Sequence, residues 1–330
     1  MRIVQNKLEN SITMQERESK ILVAIHCLVY NHEPYLRDCF EGFVMQKTNF
    51  RFVAIVHDDC STDHSVDIIR EYEAKYPDIF RPIYETENQY SKPDGSLGRI
   101  MNAAIDATGA KYMAMCEGDD YWTDPYKLQK QVDYMEAHPE CSMCFHRVQI
   151  LDELSHELQP DFLEDVPYSK DGLRLAQGNY IHFVSVMFRK NGSVDEKYAK
   201  VGRISMGDQI LYHLYAEVGH FKKLPDIMGV YRVGNGQWSA ASDAYRHLMS
   251  VISLSKTVPL LQNSEVRKQL DETIYQYANV VFNIINEKDK EILSIHNSRA
   301  YRIGTFLLKP AQFLKKCTKK LKKLIKKIIS

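Results

Sequence analysis

Short apolar runs alternate with stretches of helical spacing as far as residue 138, and that alternation admits few folds. The runs "ILVAIHCLVY" (21 to 30) and "RFVAIVH" (51 to 57) are almost wholly apolar and rich in β-branched residues, as strands buried on both faces are. Two more strands are expected at "FRPIYE" and "KYMAMC" (111 to 116). Between them lie "LRDCFEGFVMQK", the segment after "DDCSTDH" with Ser61 or Thr62 as its cap and Pro77 at its end, and "GRIMNAAIDATG", closed by Gly109. A further helix, "DPYKLQKQVDYMEAH", carries Pro125 near its first turn and stops at Pro139. Strands alternating with helices predict βαβ units and a mostly parallel sheet, with ligands bound beyond the carboxyl ends of its strands.

From about residue 146 the pattern loosens. A strand is expected at "IHFVSVMFRK" (181 to 190), a helix at "MGDQILYHLYAEVG" (206 to 219), a strand through "IMGVYRV" (227 to 233), and helices over 243 to 296. A chain of 330 residues with 44% hydrophobic and 26% charged residues suffices for one large or two modest globular domains. Its seven cysteines have no regular spacing and read as reduced thiols. The polar start and the want of any long apolar run predict a cytoplasmic protein.

The formal net charge of zero hides an asymmetry. Nine lysines and no acid follow from Lys309 onward, leaving 34 basic against 43 acidic residues in the rest, a net −9. In "AQFLKKCTKKLKKLIKKIIS", Leu314, Cys317, Leu321, Leu324, Ile325 and Ile328 recur at helical spacing between lysines. Such a helix suits the interface of an anionic membrane. A solvated charged helix and a nucleic-acid patch are the other readings of the same run, and the acidic body argues against nucleic acid.

Two acidic clusters end two of the expected strands: Asp58 with Asp59, and Glu117, Asp119 and Asp120 in "MCEGDDYWTDP". Aspartate favours turns and helix caps, which accounts for one such pair but less easily for two. Three crowded carboxylates call for a divalent cation such as Mg²⁺ or Mn²⁺, with a diphosphate supplying its other ligands. Neither GxGxxG nor GxxxxGK[ST] occurs, which removes the usual phosphate cradles of dinucleotide enzymes and P-loop enzymes. Cys141-Ser-Met-Cys144 followed by His146 lacks the second pair a zinc site needs and reads as packing. His26 and His57 read as core histidines, and His182 and Ser185 as strand residues open to either packing or acceptor contact.

The succession "VAIHCLVYNHEPYL", "IVHDDCSTDHS", "GAKYMAMCEGDDYWTDPYKLQKQ", "GDQILYHL" and "VYRVGNGQWS", covering roughly residues 20 to 240, resembles the family 2 glycosyltransferases, in particular bacterial members that build surface polysaccharides. The resemblance implies an α/β GT-A fold, a nucleotide-diphosphate sugar donor, UDP-linked by family habit, and inverting transfer assisted by Mg²⁺ or Mn²⁺. By motif, Tyr30 and Asp59 would contact the base with Asp58 beside them, Asp119 would hold ribose or metal, and Asp120 would be the main metal ligand. Asp208 matches the catalytic base, and Arg232 and Trp238 lie in a motif that closes over diphosphate and acceptor. Val29 stands where many members have Thr or Ser, Cys60 where glycine is commoner, and Glu117-Gly118-Asp119 departs from Asp-X-Asp.

The implied organisation is a polar segment at 1–20, a GT-A domain at 21–242 with a nucleotide-sugar half (21–145) and an acceptor half (146–242), a helical extension at 243–300 and a basic membrane-associating tail at 301–330. A sugar diphosphate already carries a good leaving group. The enzyme must then neutralise charge on the departing phosphate and deprotonate an acceptor hydroxyl, of a glycan or a lipid-linked sugar, at the inner face of the plasma membrane. A glycosidase would instead need two carboxyl groups flanking the scissile bond. Two other classes fit the same residues: a sugar-nucleotide-binding protein without catalysis, and a membrane-surface adaptor acting through its tail.

Overall fold

The computed structural model describes residues 20–92, 94–161, 172–202, 206–234 and 241–297. Nine strands among them form one sheet: β1 (Ile21–Val29), β2 (Arg51–Asp58), β3 (Phe80–Tyr84), β4 (Tyr112–Met115), β5 (Tyr121–Trp122), β6 (Cys141–Asp152), β7 (Leu158–Pro160), β8 (Met187–Arg189) and β9 (His220–Val233). They run in the order β3-β2-β1-β4-β8-β6-β9-β5, with β7 on the side of β6. The stretch β3-β2-β1-β4 is parallel throughout, as the alternating pattern predicts. Beyond it the sheet is mixed: β8 is antiparallel to both β4 and β6, while β6 and β9 are parallel over most of their length.

The period of two along β1 divides the core between the two faces of the sheet. Val23, Ile25, Cys27 and Val29 pack with α1 (Leu36–Val44), α2 (Ser65–Lys75) and, after α3 (Ser96–Ala107), with α4 (Lys127–Ala137), through Phe40, Phe43, Ile69, Leu128 and Val132. Ala24 belongs to the opposite cluster with Ile105 of α3. The later helices are α5 (Leu173–Ala176), α6 (Gly192–Ala199), α7 (Gly207–Ala216), α8 (Asp243–Thr257) and α9 (Ser264–Asn297). Ile210 of α7, Leu254 of α8 and Leu270 of α9 join that second cluster. The helices expected over 243 to 296 therefore share a core with the sheet.

Four details differ from expectation. A 12-residue strand, β6, begins at Cys141, where the sequence shows only a loosening pattern. The run 181 to 190 is a 3₁₀ turn at Phe183–Ser185 followed by the short β8, so His182 and Ser185 lie on a turn. The strand expected at 227 to 233 starts already at His220. Neither Ser61 nor Thr62 caps α2. The cap position is His64, without a side-chain cap bond; Asp63 before it accepts the Ser65 N–H at 3.0 Å, and Ser61 and Thr62 are bound to the turn after β1.

Candidate active site

The turn after β1 and the turn after β2 are laced together at the carboxyl end of the sheet. Asn31 donates its N–H to Ser61 Oγ (2.9 Å) and accepts the Thr62 N–H on its side chain (2.7 Å). His32 N–H donates to Ser65 Oγ, and Glu33 N–H to Asp63 Oδ2, both at 3.0 Å. The "STD" of "DDCSTD" thus sets loop geometry. Cys60 has φ +64°, in the left-handed region that glycine enters without steric cost, so the residue commoner at this position is the one the backbone favours.

Asp58 and Asp59 are both buried, and their surroundings differ. Asp59 accepts the Gln89 N–H (2.6 Å) and the Tyr90 N–H (3.0 Å), one on each carboxylate oxygen, while its own N–H donates to the Val29 carbonyl. It anchors the loop after β3. Asp58 accepts the Ser61 N–H at 3.2 Å, and its other oxygen is buried without a partner among the described residues. Tyr30, just after β1, is 42% exposed.

The acidic turn after β4 is held to β1 by hydrogen bonds from Cys116 N–H to the His26 carbonyl and from Gly118 N–H to the Leu28 carbonyl. A Cβ on Gly118 would lie 2.7 Å from His32 Nδ1, 3.0 Å from Val29 Cγ2 and 3.1 Å from Leu36 Cδ2. Gly118→Ala is therefore expected to cost about 1–3 kcal/mol of overpacking, read as a lower thermal midpoint. An unchanged midpoint would mean that the turn shifts freely.

Burial pushes the Glu117 carboxyl well above the usual range, and the charges of Asp119 and Asp208 push it further. Burial likewise raises Asp120, reinforced by Asp119, against the Arg232 N–H, which donates to Asp120 Oδ1 at 2.9 Å. Asp208 stands in the first turn of α7. Burial raises its carboxyl, while the Gln209 N–H and its own N–H at the helix start hold it back. Two tyrosines connect these groups. Tyr231, on β9, is raised by burial and by the charges of Asp120, Asp119 and Asp208. Tyr212 is raised by burial, Asp208, Tyr231 and Glu117, and its buried hydroxyl has no partner among the described residues. The fold thus brings Glu117, Asp119, Asp120 and Asp208 into one neighbourhood. His32 joins it: burial lowers its imidazole, Asp119 opposes that, and Nδ1 is unpartnered.

The Arg232 side chain is held by partners of its own. Its guanidinium pairs with Asp38 and Glu153, each at 2.5 Å. Trp238 lies outside the described residues. Glu117 already stands out in the acidic cluster of the sequence, whereas His32, Tyr212 and Tyr231 are site groups that motif reading passes over. Only Tyr212 carried a signal, since it follows Asp208 by four residues and so shares its helix face.

No group of three or more His, Cys, Asp or Glu side chains is assembled for a metal among the described residues. What is present fits a hard cation that draws its remaining ligands from phosphate: an all-oxygen set at Asp119 and Asp120, with the buried Asp120 carboxylate accepting the Arg232 N–H on Oδ1.

The sequence model described as Glycosyl transferase family 2 matches residues 25–193, just over half of the chain. This chain belongs to glycosyl transferase family 2. A protein of Mycobacterium tuberculosis is 39% identical over 226 residues, 66% of this chain and 61% of the relative, so the chain spans under two thirds of that relative's length. A Bacillus subtilis protein assigned by its name to teichuronic acid biosynthesis, the glycosyltransferase TuaG, is 31% identical over 126 residues, 38% of this chain and 46% of that one. The structure of Staphylococcus aureus TarS 1–349 in complex with UDP-GlcNAc superimposes with a TM-score of 0.58 at 14% identity, covering 77% of this chain and 72% of that one. The chain accordingly has the GT-A fold, its sheet and helices followed by a helical C-terminal region. No helix among its described residues is long and apolar enough to cross a membrane.

Proposed function

We propose that this family 2 glycosyltransferase moves a sugar, with inversion, from a nucleotide-diphosphate donor of the UDP type to a hydroxyl of a glycan or lipid-linked acceptor in bacterial surface polysaccharide synthesis. The observation that carries this reading is the convergence of Glu117, Asp119 and Asp120 at the end of β4 with Asp208 at the start of α7. The UDP-GlcNAc held by TarS and the naming of TuaG support the donor and pathway class.

Each group has a task. Tyr30 borders the base, and Asp59 shapes that pocket through the loop at Gln89 and Tyr90. Asp120, with Asp119 on ribose or metal, would hold Mg²⁺ or Mn²⁺. A divalent ion there supplies electrostatic stabilisation of the charge growing on the departing diphosphate. Asp208 takes the proton from the acceptor hydroxyl, whose oxygen attacks the anomeric carbon opposite the leaving group. Tyr212 and Tyr231 both feel charges from the two carboxylate sets, Tyr212 those of Asp208 and Glu117 and Tyr231 those of Asp120, Asp119 and Asp208. In the same proposal, residues 21–145 form the nucleotide-sugar half and 146–242 the acceptor half. The helical extension spans 243–300, and the basic tail of 301–330, outside the described residues, rests on an anionic membrane.

Calorimetry with UDP-, GDP- and TDP-sugars, with Mn²⁺ or Mg²⁺ and again with excess EDTA, tests the reading. One donor class is expected to bind with metal and not with EDTA, and Asp120→Asn to lose that metal-dependent increment. Binding of no donor under any condition would remove the enzyme reading. Equal binding by Asp120→Asn would remove Asp120 from the metal.

A further inference from the structure

Arg232 makes more contacts than a side chain that merely waits for a ligand. Its backbone N–H donates to Asp120 Oδ1 at 2.9 Å, joining β9 to a residue 112 positions earlier. Its guanidinium donates through Nη1 to Glu153 Oε1 and through Nη2 to Asp38 Oδ2, each at 2.5 Å. The same guanidinium lies between two rings, 5.0 Å from the centroid of Tyr35 and 4.8 Å from that of Tyr121. The side chain is only 7% exposed. Four elements meet on it: the turn after β1 through Tyr35, α1 through Asp38, β5 through Tyr121, and the turn after β6 through Glu153. Glu153 is doubly tied to β9, because its N–H also donates to the Val233 carbonyl at 3.0 Å.

A planar, permanently charged group with two carboxylates and two ring faces around it has little freedom left. Its backbone is correspondingly fixed, and so is the N–H that aims the Asp120 carboxylate. We propose that Arg232 is a positioning residue for Asp120: the clamp of Asp38, Glu153, Tyr35 and Tyr121 sets the orientation of the metal-binding carboxylate, and the guanidinium does not itself carry the donor's diphosphate. This rests on the reading of Asp120 as metal ligand. Groups that orient a metal ligand typically affect metal affinity or activity by about 10–100-fold.

The two carboxylates of the clamp differ in weight. Asp38 is 59% exposed, so solvent and salt screen its pair, whereas Glu153 is 18% exposed. Glu153→Gln is therefore the stronger perturbation.

The test is the Mn²⁺ concentration giving half-maximal transfer in Asp38→Asn, Glu153→Gln and the double variant, with calorimetric donor binding at saturating Mn²⁺. Arg232 is intact in all three. The expected result is a rise in half-saturating Mn²⁺ of at least several-fold for Glu153→Gln, smaller for Asp38→Asn and largest in the double variant, with kcat recovered at high Mn²⁺. A general loss of structure would lower kcat at every Mn²⁺ concentration and would overturn the proposal. So would an unchanged Mn²⁺ requirement, or tighter donor binding, since a released guanidinium free to reach the diphosphate would give the latter. A wild-type enzyme whose transfer needs no metal overturns the metal reading itself, a result distinct from metal-dependent wild type with unaltered variants.

Discussion

Asp208→Asn lowers transfer by about 10²–10⁴-fold, the usual contribution of a general base, while metal-dependent donor binding and the thermal midpoint stay near those of the wild type. The amide keeps the size and the helix-start hydrogen bonds of the acid and loses only the ability to take a proton. Burial raises the Asp208 carboxyl above its ordinary value, nearer the pH at which a base must work. The base acts in its ionised form, so activity rises with pH through that elevated value and falls on the acid side of it. The acid limb of the kcat/KM profile measures this. Full activity in the purified variant would take the role from Asp208, and an acid limb at the ordinary carboxylate value would take the effect of burial away.

Lys127→Met makes the protein more stable near neutral pH. Lys127, at the start of α4, is fully buried, and its Nζ lies 3.8 Å from the centroid of the Trp122 ring with no hydrogen-bond partner among the described residues. It faces Cys116 beyond β4, Cys144 and His146 on β6, and Gln131 one turn along its own helix. Desolvation pushes its ammonium down from 10.5 to about 7, only partly opposed by the two thiols. Between about 7 and 10.5 the unfolded chain binds the proton that the folded protein sheds, so stability climbs with pH across that window. Below 7 both states are protonated and the folded one bears the full cost of a buried cation. At about 1.4 kcal/mol per unit that cost approaches 5 kcal/mol, and the cation–π contact with Trp122 offsets about 2 kcal/mol of it. Methionine matches the unbranched shape, so a rise in melting temperature on the order of 5 °C at pH 6.5 is expected, shrinking as pH climbs toward 10. A melting temperature lowered by the substitution at every pH would show that the ammonium is well accommodated.

The parallel half of the fold was legible because β1 and β2 are long, β-branched and buried on both faces, a pattern few other elements produce. β6 was not. Its first residues, "CSMCFH", are all buried, yet they carry no alternation and no β-branched residue, and their cysteines invite a reading as thiol chemistry. β8 has three residues, too few to show any period. The acidic site divides in the same way. Asp58, Asp59, Asp119 and Asp120 announce themselves as clusters, and the family motif adds Asp208. The contacts that orient them do not: Asp38 meets Arg232 across 194 positions of chain, and nothing local in "LRDCF" foretells it.

The strand order has a consequence for how the chain is made. β4 has one neighbour, β1, from the earlier chain; its other neighbour is β8, and β6 joins the sheet only through β8 and β9. On a ribosome, β8 follows β4 by roughly 70 residues, about 4–14 s at ordinary elongation rates. Through that interval the parallel half has its hydrophobic strands in place, and one side of β4 still offers unpaired N–H and C=O groups, the template on which strands of other nascent chains can pair.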